Sequence, residues 1–367
     1  MRRGKIVLVG VCVLLLAMQG AVRVAHPIVA GIWYPADPEP LRQAVEKCVK
    51  EAATAAGPDP EGRCVALIVP HAPYETFGTI AGAAFKRIQP GQYDRVIILA
   101  PAHFTEFPGC SIPSVQAYRT PLGDVLLDGP AIRVLDRSPL IDVRSVNYGS
   151  GMQPAIKSDT GKKKHHKKRD DAKQGAAFID NLTRRVQLHE REYTIETVLP
   201  FLQVRLGEFK LIPLLVGDFK GYGGHIDDNG ISSIADALLP LLDDRTLIVV
   251  STDFTHFGNN FSYRPFEQNI LEGIEFLDRQ AFSFILALDY DGFQTYLEQT
   301  RNTICGKNAI SILLHLLPRD AKGVLLSYEI SARRSGETKS SISYASIAFI
   351  LPAHGMDTPP QPVEDKK

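Results

Sequence analysis

The sequence predicts an α/β fold whose sheet is buried on both faces. Residues 66–69, 96–99 and 247–250 are short aliphatic and β-branched runs without polar alternation, the pattern of strands covered on two sides. Segments with apolar residues at helical spacing separate them, so strands and helices alternate and a parallel arrangement follows. Each run also stops on polar residues: His71 after the first, His103 after the second, and Ser251, Asp253 and His256 after the third. Open α/β sheets place their ligands at that carboxyl edge. A single strand ending in His has a structural reading; three strands delivering histidines to one edge point to a site.

The 367 residues suffice for a large core, with 44% hydrophobic side chains. Lys plus Arg and Asp plus Glu are balanced at 41 each, so no overall basic field attracts nucleic acid. Residues 1–25 stand apart: Arg2, Arg3 and Lys5 precede an apolar run, 6–18, and a small-residue stretch. That order predicts a secretory leader, with an uncleaved inner-membrane anchor as the alternative, and places the protein in the periplasm or outside the cell. The apolar run is short for a membrane span. Of the cysteines beyond the leader, Cys48 and Cys64 are nearest in sequence and form the candidate disulfide of an oxidising compartment, while Cys110 reads as a structural thiol.

The ordered chain opens with a helix: Asp37 is a candidate N-cap, Pro38 a first helical residue, and Leu41, Ala44, Val45, Cys48 and Val49 form its apolar stripe. A loop over 54–62 leads to the His71 strand, and a helix over 78–88 returns the chain to the His103 strand. Such a crossover leaves both strand ends on one edge, making His71 and His103 expected neighbours. Pro, Gly and Ser then predict a long loop and hairpin over the same edge. Residues 150–176 are Lys- and Gly-rich, contain KKKHHKKR with His165 and His166, and predict a disordered basic insertion.

Ile195, Val198, Leu199 and Leu202 mark a further helix face, with Glu192 and Glu196 read as charges favouring its positive end. Another buried strand spans 211–216. A glycine-rich loop, 220–230, carries His225, and a helix over 231–242 feeds the third histidine-bearing strand. Residues 266–299 read as helices. Cys305 and Gly306 then precede a stripe of Ile310, Leu313, Leu314 and Leu317. A thiol at a helix N-terminus gains thiolate character, the form that attacks electrophiles or binds metals; a structural thiol is the alternative. Two closing strands precede a loose tail, 353–367.

Read together, AGIWYPAD, VPHAPY, PAHF, TPLGD, EYTIE with LPFLQ, STDFTHF, ICGKNAI and SSISYASIAF resemble the Memo-like family, whose prokaryotic members are called AmmeMemoRadiSam system protein B. The resemblance spans residues 26–352. It implies a single α/β sandwich around a central mixed sheet, similar to class III extradiol dioxygenases. It also implies that His71, His103 and Cys305 are metal ligands and that Asp253 and His256 are the nearby acid and base. The sequence departs from the family pattern at Tyr193, where His is usual, and at Val198, Pro73 and Phe104, all expected to lie just outside the ligands.

The implied cofactor is a transition metal ion, iron or copper first and zinc as the alternative. Two histidines with a carboxylate suit Fe(II) and oxygen, whereas a thiolate favours softer ions, so ring-opening chemistry does not transfer with the fold. Three functions follow: a metal-dependent redox enzyme acting on a small molecule, with Asp253 orienting His256 or substrate; a non-catalytic metal or copper handler; and a binding module for a peptide or anion. The resemblance also implies functional links to a radical SAM protein and an AMMECR-type protein. Nucleic acid is not an expected partner, and membrane contact is expected only through an uncleaved leader.

Overall fold

The computed structural model describes residues 23–53, 61–147, 185–219 and 228–352. Most of the expected leader, the basic insertion with His165 and His166, His225 and the tail lie outside them.

A nine-stranded mixed sheet organises the chain. Its strands are β1 (Arg63–Val69), β2 (Arg95–Pro101), β3 (Cys110–Ser111), β4 (Ile141–Asp142), β5 (Lys210–Val216), β6 (Thr246–Ser251), β7 (His256–Gly258), β8 (Lys322–Ile330) and β9 (Ser340–Leu351). They run in the order β7-β9-β1-β6-β2-β5-β3-β4, with β8 also paired to β9. The central four, β1-β6-β2-β5, are parallel, and β9 and β3 join them antiparallel. The expected buried runs are thus adjacent central strands. Thr246 and Leu247 to Val250 face β2 one for one from Arg95 to Leu99, so three carboxyl ends finish nearly level.

Nine helices among the described residues cover the sheet: α1 (Pro38–Glu51), α2 (Tyr74–Phe85), α3 (Gly129–Leu135), α4 (Leu199–Leu206), α5 (Asp228–Leu238), α6 (Ile270–Leu286), α7 (Tyr290–Thr300), α8 (Lys307–Leu316) and α9 (Ser331–Ser335). On one face Leu41 and Val45 of α1, Phe85 of α2 and Phe201 of α4 pack on Leu67, Val96, Ile98, Leu247 and Val249. On the other, Ile234 of α5, Ile285 of α6, Phe293 of α7 and Leu313 of α8 pack on Ile68, Ile97, Leu99, Ile248 and Val250. Alternate residues of one strand thus enter opposite cores, which is why these runs carry no polar alternation. The result is the α/β sandwich expected from the resemblance.

Some local expectations change. α2 starts at Tyr74, four residues before the predicted start, because Pro73 supplies a backbone conformation that leads into the helix and the Tyr74 and Phe77 rings pack inward. Residues 239–241 leave α5 as a 3-10 turn that begins before Pro240. The hairpin Ala117–Thr120 and Gly123–Leu126 forms, but it descends to the amino end of β5, where Leu127 bridges Leu211, instead of covering the histidine-bearing edge. Cys48, Cys64 and Cys110 are buried free thiols. Cys48 bonds the Tyr74 carbonyl and Cys64 that of Ala66, so the candidate disulfide is absent. Among the described residues no helix is long and apolar enough to cross a membrane.

Candidate metal centre

His71 follows β1 by two residues, His103 follows β2 by two, and Asp253 follows β6, which lies between them. Cys305 arrives from across the sheet, just ahead of α8. Its approach depends on Gly306: a Cβ there would lie 2.5 Å from the Thr252 Cβ, and the Gly306 amide donates to Thr252 Oγ1 at 2.8 Å. The tip of β6 therefore pins the start of α8. As a result the Cys305 Sγ lies 3.5 Å from His71 Nε2 and accepts the Asp253 amide at 3.2 Å.

The donor atoms of His71, His103 and Cys305 lie within 4.8 Å of one another, and this is the metal-competent group among the described residues. Ligands of one ion with bonds of about 2.0 to 2.3 Å stand roughly 3 to 4 Å apart, so small rotations bring all three into range. His71 is buried, Cys305 is partly buried, and His103 is exposed although only 24% of its side chain is accessible; a small cleft lined by Ala102, Thr105, Glu106, Gly217 and Asn308 reaches Cys305.

Each imidazole is gripped at its far nitrogen. His71 Nδ1 lies 3.0 Å from Ser251 Oγ. His103 Nδ1 faces Glu192 Oε1 at 3.2 Å, and the same carboxylate accepts the His103 amide at 2.6 Å. Partners of this kind orient ligating histidines. Tyr193 stacks on the His103 ring, with centroids 5.3 Å apart, stands edge-on to His71 at 6.0 Å and meets Trp33 at 4.4 Å. Phe104 is 6.4 Å from His103. Of the four departures from the family pattern, Tyr193 and Phe104 flank the ligands, whereas Pro73 heads α2 and Val198 lies in the core.

Burial, reinforced by His103 and His256, drives the pKa of His71 well below its ordinary value. His103 goes the other way: desolvation pulls it down, but Glu192 and Cys305 outweigh that and hold it well above. Asp253 is pushed up to about 7, chiefly by burial. Its Oδ1 accepts the His71 amide at 3.2 Å and its Oδ2 is 3.7 Å from His71 Nε2. Asp253 thus serves His71; the expectation that it orients His256 changes, since His256 is held by two carbonyls. Its Nδ1 is 2.8 Å from the Phe254 oxygen and 3.0 Å from that of Thr303. Carbonyls only accept, so Nδ1 carries the hydrogen and Nε2 a lone pair. Burial is the main cause that lowers His256 to about 4. It is near enough to perturb His71 but stands outside the metal-competent group.

Two carboxylates read as helix-dipole charges have other work. Glu192 holds His103, and buried Glu196 accepts the amides of Ile28 and Val29 and the Tyr34 hydroxyl, tying the start of the ordered chain to the sheet. Glu192 is 89 residues from its partner. No local periodicity reveals such a pairing; the available signal was an acidic residue inside a segment otherwise destined for burial.

The family model described as "Memo-like protein" matches residues 25–147 and 166–348. The "Protein memo-1 homolog" of Caenorhabditis elegans is 31% identical over 337 residues, covering 88% of this chain and 82% of the relative. The proteins named "Protein MEMO1" of Danio rerio and Homo sapiens are each 28% identical over 335 residues, covering 88% of this chain and 96% of the relative.

Proposed function

The chain belongs to the Memo-like family, and from that premise and the pocket geometry we propose that it is a metal-dependent redox enzyme acting on a small molecule. The observation that carries the reading is the convergence of two imidazoles and a thiol within 4.8 Å, each imidazole already held at Nδ1. His71, His103 and Cys305 would hold the ion. Three protein ligands suit a catalytic centre, which keeps a position for water or substrate, better than a closed structural one. A nitrogen and sulfur donor set fits copper, iron or zinc, and of these copper and iron carry redox chemistry. Such an ion supplies Lewis acidity and electron transfer at its open position.

The remaining residues prepare that position. Glu192 and Ser251 aim the two imidazoles. His256 presents a neutral Nε2 lone pair near neutral pH and accepts a proton from bound substrate. Asp253, with a pKa of about 7, holds or releases a proton in the same range while its amide supports the Cys305 sulfur. Tyr193 and Trp33 form an aromatic wall beside His103.

The sulfur ligand also favours a second reading, a copper handler without turnover. Elemental analysis of anaerobically purified protein, followed by oxygen uptake in the presence of candidate reductants, separates the two. One iron or copper per chain with oxygen uptake supports the enzyme; bound copper without uptake supports handling; a chain that retains no transition metal sinks both. We extend the proposal to export through residues 1–25, which native-host N-terminal sequencing tests: a soluble cytoplasmic protein retaining Met1 defeats it.

A further inference from the structure

We infer that Ser251 is the positioning residue that sets the tautomer of His71, and that the three consecutive residues Glu192, Tyr193 and Thr194 clip both ligand imidazoles into place. This rests on the metal-centre reading for its purpose but on hydrogen-bond chemistry for its content. Ser251 is fully buried at the end of β6, and its hydroxyl has one hydrogen. The Thr194 carbonyl, 2.6 Å away, can only accept, so that hydrogen is committed to it. Toward His71 Nδ1, at 3.0 Å, the Ser251 oxygen is left as an acceptor, and Nδ1 must carry the ring hydrogen. Nε2 then offers its lone pair toward Cys305 Sγ at 3.5 Å, where the ion would sit. The competing acceptor, Asp253 Oδ2, is 3.7 Å from Nε2 and outside hydrogen-bond reach.

Thr194 is itself fixed. It is fully buried, and its Oγ1 donates to the carbonyl of Pro101 at the end of β2, 3.0 Å away. Two residues earlier Glu192 grips His103 through both its amide and its ring, and Tyr193 between them stacks on one imidazole and stands edge-on to the other. One short segment thus bridges the tips of β6 and β2 and determines where both nitrogen ligands point. A displacement of this segment moves two ligands together, whereas loss of a single side chain moves one.

The test reads the tautomer directly, on metal-free protein carrying isotope-labelled histidine, by long-range proton–nitrogen NMR near neutral pH. The expected result is a His71 with hydrogen on Nδ1 and a bare Nε2. In Ser251→Ala the His71 pattern shifts toward hydrogen on Nε2, and affinity for Cu(I) or Fe(II), measured by chelator competition, falls about 10- to 100-fold. Ser251→Thr keeps the hydroxyl and retains the wild-type pattern. Hydrogen on Nε2 in the wild type overturns the proposal without any variant. So does an unchanged pattern in Ser251→Ala, or its loss in a folded Ser251→Thr, which would assign the effect to packing. If the chain binds neither metal, the metal-centre reading fails while the tautomer result still decides this one.

Discussion

The two ends of the central parallel strands treat polar groups in opposite ways. At the amino end, Arg245 grips Asp94 with two bonds of 2.5 and 2.6 Å, and Arg95 reaches Asp128 at 2.8 Å and the Leu241 carbonyl at 3.0 Å. Arg245 and Asp94 are half or more exposed, so water screens them and their pairing contributes little. At the carboxyl end His71, Asp253, Glu192 and Ser251 are buried, yet His71 Nε2 and the Cys305 sulfur are aimed at one another and not at matched charges. Desolvation there is severe enough to drive His71 and Asp253 toward their neutral forms. An edge that merely closed a sheet would resemble the amino end. The carboxyl end instead buries titratable groups around donor atoms that converge, and that difference is what the proposed metal centre rests on.

The largest test of this contrast is Cys305→Ser. It removes the only proposed ligand that binds as an anion, and metal occupancy measured by elemental analysis should fall by two orders of magnitude or more in apparent affinity, on the order expected for a lost ligand beyond its supporting contacts. His256→Ala should retain the ion and lose oxygen uptake, since its Nε2 acts on protons. Release of the ion by His256→Ala would instead make it a fourth ligand.

Glu192→Gln comes next. The carboxylate that fixes His103 is replaced by an amide of the same shape, and metal affinity should drop about 10- to 100-fold with the fold retained. A chelator competition showing no change would return Glu192 to the helix-dipole role that its sequence position suggested.

Asp278, beneath the site, tests the energetic half. It is fully buried in α6, accepts hydrogen bonds from Thr255 and Tyr328, and burial chiefly raises its pKa to about 6. A folded-state value above the unfolded one means that this group's stabilising contribution is present below about pH 4 and is lost as pH rises through about 6. Asp278→Asn should abolish that loss. Relative to wild type, its thermal midpoint should therefore be more favourable at pH 8 than at pH 5, by an amount equivalent to about 1 kcal/mol. A difference independent of pH would show that the carboxyl does not titrate with folding.

The smallest effect belongs to the amino end. Asp94→Ala should change stability by less than about 1 kcal/mol and leave metal content untouched. A large loss would erase the contrast between the two ends.

The sequence displayed the fold where one element determines itself. Strands buried on both faces must be continuously apolar, so β1, β2 and β6 were legible, as were the histidines beyond them and Cys305 ahead of its apolar helix. What it concealed depends on approach between distant segments. Glu192 and Glu196 looked like charges at a helix start because an acidic side chain suits that position whether or not it also reaches a histidine. Asp253 was expected to orient His256 or substrate; its carboxylate faces His71, across the strand boundary, and not His256. The pairing of Ser251 with Thr194 joins residues 57 apart and has no periodic signature.

X-ray absorption at the metal edge of the anaerobically purified protein reads the ligands of the proposed centre. The expected spectrum is that of one iron or copper per chain, with one sulfur and two imidazole nitrogens among its nearest neighbours at about 2.0 to 2.3 Å, and loss of the sulfur neighbour in Cys305→Ser. An ion bound without any sulfur neighbour, or a spectrum unchanged in that variant, would contradict it.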